Sequence, residues 1–182
     1  MRKETEDKVQ LEHLFTGCAG DLGCSPWFKV DQAMIDQFGA ATLDPDPMHI
    51  DNEWCEKYSP YKVPIAFGFF TLSMLSYLSH GIIERAYDSH IGTGGYPLNY
   101  GLDNVRFAAP VPVNSEIRLH LHLQDKYNKN EGQTVLNFKF AVEVKGQDEP
   151  ALIGNWLGLW VQEPGHQRIA SKNSKQVKTT GV

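Results

Sequence analysis

Asp44 and His49 are the two side chains of this sequence best suited to moving protons near neutral pH. A carboxylate and an imidazole together can take a proton from one atom and return one to another, which is the work of general acid–base catalysis. Pro45-Asp46-Pro47-Met48 lies between them. Five residues of extended chain span up to about 16 Å, so the two groups meet only where this loop turns back. Two prolines and an aspartate favour such a turn. The plainer reading of the same residues is a local backbone cap at Asp44 and a surface histidine at position 49. A second feature follows at Ile65–Ile83, an apolar run broken only by small hydroxyls, Tyr77, His80 and glycines. It is too long for a strand, which rarely exceeds about 10 residues. It is also too polar for a membrane span of roughly 20 apolar residues. The run therefore predicts a helix buried on nearly all sides. Its start, Pro64-Ile65-Ala66-Phe67-Gly68, contains no Ser, Thr, Asp or Asn to cap it. The first N–H groups of a helix lack internal partners and carry partial positive charge. Gly68 leaves room beside them, so either a carbonyl of the fold or a substrate oxygen must satisfy those donors.

Other elements must hold these residues in place. Asp31 is a good N-cap for a helix over Gln32–Thr42, with Met34, Ile35, Phe38 and Ala41 on one face. Pro45 and Pro47 stop that helix. Asp51 reads as the cap of a short helix through Tyr58. Leu14–Ser25 reads as a loop, Trp27–Val30 as a short strand and Gly92–Pro97 as a flexible connection. Strands follow over Leu98–Phe107, the alternating Ile117–Gln124, Leu136–Val144 and Ala151–Val161, with a turn at 128–132. Helices followed by consecutive antiparallel strands make the fold α+β, a sheet curled around one buried apolar helix. A single sheet has open edges, so dimerisation that continues the sheet is expected.

A chain of 182 residues is expected to form one domain over 14–161, with a charged lead-in at 1–13 and a polar, disordered tail at 162–182. Its net charge of −5 argues against a nucleic-acid footprint. Cys18, Cys24 and Cys55 form no paired framework, and an odd count suits a reducing compartment. The N-terminus lacks the apolar core of a signal peptide, so a cytoplasmic location is expected. His120 and His122 share a strand face, but the spacing supplies no third metal ligand, and they read as a solvated face. Asp44, Asp46 and Asp51 are not a calcium loop, because His49 stands where glycine is required. Lys57, Lys62, Arg85 and Arg106 are basic residues that could meet phosphates.

Asp44-Pro-Asp-Pro-Met-His49, then Ile65-Ala66-Phe67-Gly68, then Ser73, stand in the order of a known motif. With Asn99–Arg118 downstream, they make the sequence similar to the MaoC-like dehydratase family, which includes the R-specific enoyl-CoA hydratases, and especially to its NodN-like branch. The likeness runs over roughly 14–161, with Phe67 where the motif usually has histidine. The resemblance implies a hot-dog fold, usually paired as a dimer, and hydration of a trans-2-enoyl thioester to an (R)-3-hydroxyacyl thioester. It implies that Asp44 and His49 hold the water, Asp44 taking its proton and His49 supplying one to the substrate α-carbon. The Gly68 N–H would polarise the thioester carbonyl. Ser73 would bond Asp44 or shape the pocket, and Phe67 would line the approach. It implies no metal or redox cofactor, coenzyme A or a carrier protein entering as part of the substrate. A thioesterase and a non-catalytic acyl-thioester binding module are the alternatives on the same frame.

Overall fold

A computed structural model describes residues 14–15, 20–83 and 94–163 of the chain. The expected lead-in at 1–13 and Arg85 lie outside the described residues, as does the expected tail 162–182 from residue 164 on, while Gln162, its first residue, is paired at the end of the last strand. The helices come early. Helix α1 spans Gln32–Thr42, and its cap is the expected one: the Asp31 carboxylate accepts the Met34 N–H at 3.0 Å. It ends on Leu43 in the left-handed region at φ 59°. A one-turn helix α2, Pro47–Ile50, follows at once, with the Asp46 side chain capping it through Met48 N. Helix α3 covers Asn52–Tyr58 and is capped by Asp51 as expected. Helix α4, the central one, spans Gly68–Leu78.

Strands β1 (Gly20–Cys24), β2 (Phe28–Lys29), β3 (Gly95–Phe107), β4 (Glu116–Asn130), β5 (Gln133–Val144) and β6 (Leu152–Gln162) form one antiparallel sheet. The order is β1-β4-β5-β6-β3, with β2 also on β4. Three expectations are corrected here. Part of the expected loop 14–25 is strand β1, because its backbone groups pair with the β4 edge from His120 to Leu123. The expected flexible connection at 92–97 already belongs to β3 from Gly95, which pairs with Gln162. The turn at 128–132 is narrower, since β4 runs to Asn130 opposite Gln133. In all three cases cross-strand pairing overrides glycine- and polar-rich composition.

Register shifts between Asn99 and Gly101, Asp103 and Arg106, and Leu123 and Asp125 bend the sheet. Such bulges increase local twist and let a sheet wrap what lies on its concave side. What it wraps is α4. Phe70, Thr71, Leu75 and Leu78 of α4 are buried, and the helix packs on β4 and β6. Leu119 and Leu121 of β4 and Phe138 and Phe140 of β5 complete the core. Each such side chain removed from water contributes about 1.5–3 kcal/mol. The helix is not covered all round, however: Phe69 is 69% exposed and Tyr77 54% exposed. An apolar composition around the whole helix circumference does not decide which face a single sheet can reach. Strand β3 pairs only with β6 among the described residues, and Leu98, Tyr100 and Leu102 along it are exposed. No described helix is long and apolar enough to cross a membrane.

Candidate active site

His49 sits on the last turn of α2, and its placement follows from local bonds. Ile65 N donates to Met48 O at 3.3 Å, which ties the approach to α4 against α2. The His49 Nδ1 then lies 2.7 Å from Ile65 O. A carbonyl only accepts, so Nδ1 carries the proton in this contact and Nε2 of the neutral ring is bare. No described residue partners Nε2. The imidazole lies against the Phe67 ring, centroids 3.8 Å apart. Phe67 is 5% exposed and stands at the N-cap of α4, where no side chain bonds the helix end. Ala66 N donates to Val111 O and Thr71 N begins the helical ladder at Phe67 O. Between them the Gly68 N–H has no acceptor among the described residues. The described residues thus do not supply the carbonyl that the sequence left open as one alternative.

His49 and Gly68 line one cavity of about 230 Å³, together with Tyr61, Thr71, Phe107 and a wall of small residues, among them Ala66 and Ala151. An imidazole with a bare nitrogen beside an unpaired helix N–H can move a proton next to a group that develops negative charge.

Asp44 is elsewhere. It is exposed and borders a separate groove of about 570 Å³ with Asp36, Leu43 and Ile50. Its Oδ1 accepts the Asp46 N–H at 3.2 Å, the local turn bond that an Asp-Pro-Asp sequence favours. Phe67 lies between the two sites. Its ring lies against His49, tilted by 34°, and its Cζ is 3.0 Å from the point where a Cβ on Gly39 would stand, Gly39 being part of the Asp44 groove.

Ser73 is also apart from both. Its hydroxyl donates to Phe69 O at 2.8 Å, and it lines a third cavity, about 520 Å³, between α4 and β3. The hydrogen bond to Asp44 that the motif implies is not made, because the carbonyl one turn back is the nearest acceptor for a helical serine. Of the other residues singled out, Lys62 Nζ donates to Glu56 O, Arg106 to Val105 O, and Lys57 lies over the Tyr58 ring. Tyr61 and Phe107 are site residues that carry no signal in the sequence. One is in an irregular loop, and the other only ends a strand.

The comparisons with known proteins point one way. A family model described as "MaoC like domain" matches residues 18–144. Nodulation protein N of Rhizobium leguminosarum bv. viciae is 35% identical over 144 residues, 79% of this chain and 86% of that protein. The 3-hydroxyacyl-thioester dehydratase Z of Mycobacterium tuberculosis H37Rv is 33% identical over 140 residues, 77% of this chain and 88% of that protein. Among solved structures, an (R)-hydratase from A. caviae superposes with a TM-score of 0.59 at 18% identity, covering 76% of this chain and 91% of that one, so the curled sheet around α4 is the hot-dog fold. The matched region takes in both motif stretches and the downstream strand, and this chain belongs to the MaoC-like family.

Proposed function

We propose that this protein is a hydratase/dehydratase that adds water across trans-2-enoyl thioesters to give (R)-3-hydroxyacyl thioesters. The observation that carries this reading is the bare Nε2 of His49 in one cavity with the unpaired Gly68 N–H. Hydration puts the water oxygen on C3 and a proton on C2, and the thioester oxygen gathers negative charge between the two events. The Gly68 N–H at the start of α4 stabilises that oxygen. His49 Nε2 takes the proton of the attacking water, while the Ile65 carbonyl on Nδ1 stabilises the imidazolium that results. The imidazolium returns the proton to C2.

Asp44 is the second member of the pair. The family resemblance pairs it with His49, although here it borders the neighbouring groove, and its share in the proton transfers is the part of this reading that mutation tests most directly. The substrate is an acyl group on coenzyme A or on a carrier protein, and the reaction needs no metal or redox cofactor. The open edge of β3, with Leu98, Tyr100 and Leu102 exposed beside it, supports a homodimer whose sheet continues from one protomer into its partner. The protein acts in the cytoplasm on this reading.

Incubation with crotonyl-CoA tests the proposal. Loss of the enoyl absorbance is the expected result, and release of free thiol would make the protein a thioesterase. Neither change would leave a binding module, the alternative that Phe67 in place of the motif histidine keeps open.

A further inference from the structure

Phe107 is the last residue of β3, and its backbone is held firmly. It pairs with Leu152, and the next two N–H groups, of Ala108 and Ala109, both donate to Ala151 O. Its side chain is not enclosed in the same way, being 50% exposed. The ring is laid on Gly68: a Cβ built there would stand 2.9 and 3.0 Å from two of its carbons. Phe69 meets the same ring edge-on with centroids 5.7 Å apart. Phe107 therefore fills the space that a side chain at 68 would take, and it shares a cavity with His49.

We propose that Phe107 is the specificity-determining roof of the thioester cleft and that it excludes acyl thioesters branched at C2. The inference rests on the proposed placement of the thioester carbonyl at the Gly68 N–H. Conjugation keeps C3=C2–C1(=O)–S flat. With the carbonyl oxygen on that N–H, C2 is one bond from the carbonyl carbon and passes directly beside the Phe107 ring. The hydrogens on C2, one in the flat enoyl group and two in its saturated analogue, are small enough to pass along the ring. A methyl there needs room that the ring and the alanine wall do not leave. The cavity, about 230 Å³, is already below the roughly 300–1,000 Å³ of pockets for drug-sized ligands. One methyl group in a close-fitting pocket is worth on the order of 10–200-fold in discrimination.

Calorimetric titration of the full-length protein with butyryl-CoA and 2-methylbutyryl-CoA, saturated so that no hydration intervenes, tests this. The wild type should bind the branched thioester at least about tenfold more weakly, and Phe107→Ala should bring the two within about threefold. Phe107→Leu, which keeps an apolar cover over α4, should fall between them, and it carries the comparison if the alanine variant loses its thermal transition. Equal affinities in the wild type, an unchanged preference in both variants, or no binding of either thioester overturns the proposal. Turnover of crotonyl-CoA is read separately. Selective binding without turnover keeps Phe107 and removes the hydratase reading, whereas turnover with unselective binding does the reverse.

Discussion

Two histidine sites in this molecule, on β4 and on α2, have opposite surroundings. His120 and His122 lie on the outer face of β4. His120 Nε2 meets the Glu143 carboxylate at 2.7 Å, which Arg118 also binds, and His122 is 3.5 Å from Asp21 with Phe15 stacked on its ring at 3.8 Å. Burial pushes the His122 imidazole below its ordinary value, against the pull of Asp21. The expected solvated face is in fact a set of paired groups. His49 has one nitrogen held by a backbone carbonyl, an aromatic ring on one side and nothing among the described residues on its Nε2. The outer histidines are satisfied within the fold and so are suited to holding strands together. The inner one keeps a reactive nitrogen in a cavity, which is what proton transfer requires.

That contrast is open to direct attack. His49→Ala should lower kcat on crotonyl-CoA by roughly 100- to 10,000-fold, the usual worth of a general acid–base. Asp44→Asn should cost a similar factor, and the double variant about the same as either single one, the non-additivity expected of two groups that serve one reaction step. Full activity in Asp44→Asn would leave His49 as the sole acid–base group. Gly68→Val comes next. It obstructs the N–H and drives Phe107 aside, so turnover should fall about 100- to 1,000-fold, the worth of an oxyanion donor. Its thermal transition should be kept, because the colliding ring is half-exposed and can move. Unchanged kinetics in that variant would place the thioester elsewhere.

Phe67→His should shift KM and chain-length preference while changing kcat by less than about tenfold. The ring separates His49 from the Asp44 groove without offering a hydrogen bond. Gain of turnover by this variant from an inert wild type would show the natural protein to be a binder.

The smallest effect belongs to the outer face. Burial raises the Glu143 carboxyl, but the hydrogen bonds and charges of Arg118 and His120 outweigh it and hold the carboxyl below its ordinary value. Stability from such a depressed group is present above the ordinary glutamate value and is lost as pH falls through the folded one. Glu143→Gln should leave kcat unchanged and lower stability near pH 7 by about 1 kcal/mol. The difference from wild type should shrink to nothing on acidification, as followed by thermal melts across pH.

Local physics made much of this architecture readable. The caps at Asp31 and Asp51, the alternating β4 and β5 strands, and the uncapped start of α4 each depend on residues close in sequence, whose bonding options are few. The Asp46 cap on α2 is equally local, but a single turn leaves no periodicity from which to read it. The spacing of Asp44 and His49 named the chemistry but not the meeting point. His49 is turned by the Ile65 carbonyl, while Asp44 is drawn to Asp46 N–H, and spacing alone cannot rank those two attractions.

Residue types and their order along the chain were enough to determine the α+β class, the apolar central helix, the family likeness and the identity of the candidate proton-transfer groups. Tertiary structure alone decided the rest: which face of α4 is covered, that Phe67 parts His49 from Asp44, that Ser73 opens on another cavity, and that Phe107 lies on Gly68. The reason is that these are contacts between elements distant in sequence. The closure of β3 on β6 places Phe107 beside a helix that begins well before it in the chain, and no local propensity encodes that approach.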